Sequence, residues 1–155
     1  MSRIRFTPTR AATEVDWIRL AAFVDGEGCI TGNQSTRVVI HVANTSTALM
    51  RWLADCFGGS VHKRKDRTST NNKQAYLWTV VGVLAADVLF RIRPYLIIKG
   101  EQADIAMRLG RSKMYGGKWN AGIAKERTEL LLKIRALNMR GFVPLKQDSV
   151  LELSV

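Results

Sequence analysis

Two carboxylates one residue apart, each followed by a glycine, stand in the run Asp25-Gly26-Glu27-Gly28. A carboxylate between glycines is unshielded and reaches solvent or a metal, and it is a hard oxygen ligand of the kind divalent cations take. The run closes the segment Leu20-Ala21-Ala22-Phe23-Val24, which reads as the end of an amphipathic helix. Negative charge there opposes the helix dipole, at a cost of some tenths of a kcal/mol. A purely structural end would more naturally use Lys or Asn, so the placement argues for a carboxylate that is needed. Ala21 and Ala22 leave one helix face without bulk, where another helix can pack at close range.

A second set of residues has the chemistry to read a nucleic acid. Asn33, Gln34, Arg37, His41, His62 and Arg64 carry donors and acceptors suited to base edges. Lys63, Arg64, Lys65 and Arg67 cluster at a hairpin, and Arg111, Lys113 and Lys118 lie in a Gly-rich connector; these suit phosphates, which position a protein without reading sequence. Each cluster taken alone is equally an ordinary solvated face.

Composition decides between those readings. The chain has 155 residues, 46% hydrophobic, with net charge +11 and a pI near 10.3. That is one domain with enough apolar residues for a core, and a basic excess that points to a polyanion, most simply nucleic acid. No apolar run approaches the roughly 18 residues of a membrane span, because Arg19 and Asp25 interrupt the best stretch. Met1 to Arg10 lacks a signal core, so a cytoplasmic, organellar or nucleoid-associated protein is expected. Cys29 and Cys56 read as reduced thiols, and a zinc site would need His41 and His62 at unusual spacings.

The elements that must position these residues follow from periodicity. Thr13 and Asp16 fit a helix N-cap and its third position, and Trp17, Leu20, Ala21 and Val24 then form the apolar face. Ile18, Ala22 and Asp25 lie on a smaller face, assigned to a partner helix; Gly26 and Gly28 are expected to stop the helix. Strands are expected over Cys29 to Gln34, Thr36 to Asn44, from Val61, and near Ala75 to Val81, with helices over Thr45 to Phe57, Val83 to Ile92, Lys99 to Leu109 and Ala121 to Asn138. The order predicts an α+β fold: a four-stranded, mostly antiparallel sheet with helices on one face and Arg37, His41, His62 and Arg64 on the other. A strand of about eight residues spans roughly 26 Å, the length of about eight base pairs of major groove. The domain core is expected over about 13–110, with a helical extension over about 121–141.

Leu20 to Gly28 resembles the signature of the LAGLIDADG homing endonucleases, with Ala22 where Gly is usual and Glu27 where Asp is commoner. Two further segments extend the likeness: Pro94 to Lys99 with Gln102-Ala103, and Val42-Ala43-Asn44-Thr45. So does the ending Ile134 to Gly141. The resemblance implies a DNA-binding saddle and Mg²⁺-dependent cleavage of double-stranded DNA. It implies Glu27 and Gly26 at the metal, Lys99 stabilising charge or ordering the nucleophilic water, and Asn44 organising active-site water. Asn44 is equally good as a helix N-cap. With one motif per chain, two-strand cleavage requires a homodimer, packed through Ile18, Ala21, Ala22 and Asp25. The target is then long and pseudo-palindromic, and the gene belongs to an intron, intein or similar mobile element. Alternatives on the same fold are a maturase acting on intron RNA and a non-cleaving DNA-binding regulator. A basic RNA-binding structural protein is a further rival, and one without need of the acidic pair.

Overall fold

In the computed structural model, which describes residues 4–32, 37–64, 73–111 and 121–139, a capping box starts the first helix. The Thr13 hydroxyl accepts from the Asp16 N–H and the Asp16 carboxylate accepts from the Thr13 N–H. The chain runs β1 (Ile4–Phe6), α1 (Glu14–Glu27), β2 (Gly28–Gly32), β3 (Val38–Asn44), α2 (Thr47–Phe57), β4 (Gly59–Lys63), β5 (Tyr76–Val81) and α3 (Val83–Ile92). A 3₁₀ turn at Arg93–Tyr95 leads to α4 (Gly100–Arg111), and α5 (Ala121–Met139) follows. The strands form one sheet in the order β1-β4-β5-β3-β2, every neighbouring pair antiparallel.

The α+β expectation holds, with five strands where four were expected. The additional strand, β1, is three residues long and pairs with β4 across some fifty residues of chain. A segment that short has no alternation of its own to reveal it; its pairing partner makes it a strand.

Alternation sends one set of strand side chains to the helices. Ile30, Val38, Ile40, Val42, Trp78 and Val80 face the helices and are fully or almost fully buried. They pack against Leu20, Ala21 and Val24 of α1, Leu53 and Phe57 of α2, Leu89 and Ile92 of α3, Leu109 of α4 and Ile134 of α5. Burying a side chain of this size contributes about 1.5–3 kcal/mol, so the helix-side face is where the fold's stability is concentrated. Trp78 lies at its centre, and its indole N–H donates to the Gly58 carbonyl at 2.8 Å.

The turn from α2 into β4 needs two glycines at positive φ, Gly58 at 67° and Gly59 at 88°. A Cβ on Gly59 would also stand 2.6 Å from the Thr79 carbonyl oxygen. No described helix is long and apolar enough to cross a membrane.

Candidate nuclease site and nucleic-acid interface

The first helix does not stop at Gly26. It continues through Glu27 and is closed by Gly28, whose N–H donates to the Val24 carbonyl. Gly28 has an ordinary extended backbone, so conformational freedom is not what it supplies. Its role is room: a Cβ there would lie 2.6 Å from Val24 Cα and 3.1 Å from the His41 carbonyl oxygen. The helix end is thereby pressed against β3, and Glu27 comes out exposed beside that strand's last residue.

That residue is Asn44. Its Nδ2 donates to Glu27 Oε2 at 2.5 Å. Its Oδ1 accepts from the Ser46 N–H at 2.8 Å, which fixes the amide with its NH₂ toward the carboxylate. The N-cap of α2 is Ser46, which accepts from the Leu49 N–H at 3.2 Å. Asn44 is therefore not the cap; it is a bracket between the start of α2 and the end of α1.

Asp25 turns the other way. It is 8% exposed, and its carboxylate accepts from three successive backbone N–H groups: Ile97 at 2.6 Å, Ile98 at 3.2 Å and Lys99 at 2.9 Å. Three charge-assisted bonds are strong fixings, and they carry the segment before α4 up to the end of α1. The Lys99 ammonium then donates to the Asp25 carbonyl, a favourable partner at a helix C-terminus. Glu27, Asn44 and Lys99, from three separate segments, thus converge on one helix end.

Glu27 also lines a shallow recess of about 300 Å³, shared with Cys29, His41, Ala43, Arg64 and Leu77. The recess opens on the sheet face away from the helices. Cross-strand register puts Cys29, Thr31, Val39, His41, Ala43, Leu77, Thr79, Ser60, His62 and Arg5 on that face. His41 Nδ1 is 2.9 Å from the Thr79 hydroxyl, which sets the ring's direction. Burial pushes the Cys29 thiol pKa up, with the Lys99 charge acting in the opposite sense. None of the five strands contains an Asp or Glu. Among the described residues no three His, Cys, Asp or Glu side chains gather to hold a metal. Glu27 is the single carboxylate among the described residues that line the recess.

Several expectations move. Ala21 is fully buried against the subunit's own core, so it cannot lie in a dimer interface, and Asp25 is occupied by the 97–99 backbone. The reason is that α1 has core on two sides, sheet and α3, which leaves a free stripe narrower than periodicity suggests. That stripe is Val15, Ile18, Ala22 and Gly26. Beside Asp25, Ile97 and Ile98 extend the exposed apolar surface at 92% and 68% exposure. Lys63 pairs with Tyr76 and falls on the opposite side of the sheet from His62; Arg37 and Arg64 are exposed at strand ends. Asn33, Gln34, Lys65, Arg67, Lys113 and Lys118, with the ending beyond Met139, lie outside the described residues. The placements that sequence reasoning did not anticipate are Arg5 on the open face and exposed Ile97 and Ile98 beside Asp25. Only an unmatched pair of consecutive isoleucines before Lys99 could have signalled the last two.

No protein-family model and no curated protein matches the sequence. Solved structures do match. The homing endonuclease I-CvuI in complex with its target in the presence of 2 mM Ca is 22% identical, with a TM-score of 0.61, over 86% of this chain and 85% of that one. I-CvuI with the I-CreI target in the presence of 2 mM Mg, where the DNA is not cleaved, is 21% identical with a TM-score of 0.56 over the same shares. The archaeal intron-encoded homing endonuclease I-Vdi141I, complexed with DNA, is 12% identical with a TM-score of 0.67 over 86% and 90%. At these identities the likeness is one of fold, and it covers most of both chains.

Proposed function

We propose that this chain is a LAGLIDADG-type homing endonuclease that acts as a two-fold dimer. It makes a metal-dependent double-strand break in a long, pseudo-palindromic DNA duplex and thereby promotes mobility of its host intron or intein. The observation that carries the reading is the convergence of Glu27, Asn44 and Lys99 at the end of α1, beside a sheet face whose described strands carry no carboxylate. The solved structures with this fold are DNA complexes of homing endonucleases, which agrees with it.

The donor set fits a hard divalent cation such as Mg²⁺. Glu27 presents an exposed carboxylate and Gly26 an exposed backbone at the helix end, all oxygen chemistry, and Mg²⁺ takes one or two carboxylates together with phosphate oxygens and water. Glu27 and the Gly26 carbonyl would hold it. When bound, the metal supplies positive charge at the scissile phosphate and acidifies water. The chain's own residues do the rest. Asn44 holds the Glu27 carboxylate in place and shares its negative charge through one hydrogen bond. Lys99, fixed by its own N–H on Asp25, brings a second cation to the pentavalent phosphate, where preorganised charge acts mainly on the transition state.

One chain carries one Glu27, and two strands must be cut. The exposed stripe of Ile18, Ala22 and Gly26 has the shape for a second copy of α1. Within this subunit a Cβ on Gly26 would meet nothing within 4 Å. A glycine in a helix costs about 0.5–1 kcal/mol relative to alanine, so its use there is explained by close approach of something outside the subunit.

The test is incubation with a randomised duplex library and Mg²⁺, followed by recovery of cut ends. Wild type should yield one long pseudo-palindromic site. Glu27→Gln should bind that site with near-unchanged affinity and cut it at least about 10³-fold more slowly. Cutting at the wild-type rate by this variant removes Glu27 from the active centre and sinks the proposal.

A further inference from the structure

We propose that Arg5, on the edge strand β1, is a phosphate contact that clamps the rim of the DNA groove; this rests on the endonuclease reading. The register draws one transverse row across all five strands: Arg5 opposite Ser60, Ser60 opposite Thr79, Thr79 opposite His41, His41 opposite Cys29. All five share the open face. The row begins one residue beyond Gly28, close to Glu27, and ends at Arg5. Four inter-strand steps of about 4.8 Å make it about 19 Å wide, whereas the major groove is about 12 Å wide. A sheet laid with its strands along the groove therefore overhangs the bases at one margin. The inner part of the row, at His41, can meet base edges; its far end meets the backbone.

The side chains along the row fit that division. Ser60 and Thr79 are short and buried, forming a low floor, while Arg5 at the edge is exposed. No hydrogen bond or ion pair of the Arg5 side chain is found among the described residues, and no strand offers it a carboxylate. Arg10, four residues after β1, contrasts with it: its guanidinium is committed to Asp16 by two bonds of 2.7 and 2.9 Å. The Thr9 N–H also donates to the Asp55 carbonyl at 2.9 Å. The N-terminal segment is thus tied down just after Arg5, which presents the guanidinium from a held strand. Fixed cations are the groups that neutralise phosphate and release counterions on binding.

The experiment compares wild type, Arg5→Ala and Arg5→Lys on the selected duplex and on a mixed-sequence duplex over a range of salt. Arg5→Ala should weaken binding to both duplexes by a similar factor. It should reduce the slope of log affinity against log salt by about 0.9 for each phosphate that is no longer neutralised. Arg5→Lys should keep most of the affinity and the slope, since a phosphate accepts either cation. Unchanged affinity and slope in Arg5→Ala overturns the proposal. Weaker discrimination at one base pair, not restored by lysine, overturns the assignment of Arg5 to phosphate. A wild-type protein that binds neither duplex overturns the endonuclease reading and this one together.

Discussion

Asn44 and Lys99 each reach the end of α1 with one side-chain hydrogen bond, and in each residue a second bond orients the first. The Ser46 N–H holds the Asn44 carbonyl so that the amide nitrogen meets Glu27. Asp25 holds the Lys99 backbone so that the ammonium meets the end of the helix. Removing the functional half should therefore cost rate with little disturbance of structure. Lys99→Ala is expected to slow single-turnover cleavage by about 10²-fold, the scale of losing one preorganised charge at a transition state, while affinity changes much less. Arg64→Ala should do the reverse, costing about 1–3 kcal/mol of binding and relaxing discrimination at one base pair. A saturating-enzyme rate beside a binding curve at fixed salt separates the two. Equal losses of rate and affinity for Lys99→Ala would make it an ordinary phosphate contact. At this scale the residue types were readable in the chain, because a carboxylate between glycines has no common structural use. Their meeting was not: Glu27, Asn44 and Lys99 are 17 and 55 residues apart in sequence, and without the family likeness no local pattern joins them.

The helices and four of the strands follow from local signals that agree with one another: a capping box at Thr13, alternation through β3, glycine pairs after α2. What local signals leave out is set by contacts between distant segments. β1 is a strand because β4 has a free edge, and α1 runs past Gly26 because Gly28 can touch Val24 and β3 at once. That close approach is testable. Gly28→Ala drives a methyl group to 2.6 Å from Val24 Cα and 2.7 Å from the Val24 carbonyl oxygen, both backbone atoms that cannot swing aside. Overpacking of that kind costs about 1–3 kcal/mol, and the thermal midpoint and cleavage rate should fall together because Glu27 is displaced. A variant with lowered stability but undiminished cleavage would show that the packing of Gly28 does not position Glu27. The second element-scale device is the latch between the N-terminal segment, α1 and α2. Asp16 is buried, accepts from Arg10, Thr13 and the Trp52 indole, and the Arg10 guanidinium holds its carboxyl well below the usual carboxylate range. A carboxyl with a depressed folded pKa contributes stability that is present above its unfolded value, about 3.9, and is lost as pH falls below it. Asp16→Asn should thus be less stable than wild type at neutral pH, and the gap should begin to narrow as pH is lowered through 4, closing only once pH falls below the depressed folded pKa. Denaturant midpoints at pH 7, 5 and 3 check this; a gap that stays constant would mean that the carboxylate's charge is not what holds the latch.

The whole molecule has two exposed surfaces with opposite chemistry meeting at Glu27. One is the sheet face, basic at its margins and free of carboxylates among the described strand residues; the other is the apolar stripe of α1, continued by Ile97 and Ile98 beside Asp25. An isoleucine 92% exposed next to another 68% exposed is poorly explained by a monomer, and both lie beside a helix whose own exposed face is Val15, Ile18, Ala22 and Gly26. If a second copy covers this surface, each Glu27 is placed near the two-fold axis and the two sheet faces join into one long DNA-binding surface, which is how a domain this small would address a long target. Gly26→Ala separates the dimer from every single-chain explanation. In one subunit the added methyl group enters open space and should raise the stability of a monomer by about 0.5–1 kcal/mol through helix propensity. In a dimer it stands between two helices at closest approach and should weaken association. Ile98→Asp attacks the same surface by charge, away from the helix. Sedimentation equilibrium should find wild type dimeric and both variants shifted toward monomer, with double-strand cleavage falling in proportion to the remaining dimer. A monomeric wild type that still breaks both strands would mean one Glu27 serves two phosphates in turn, and the exposed stripe would need another occupant.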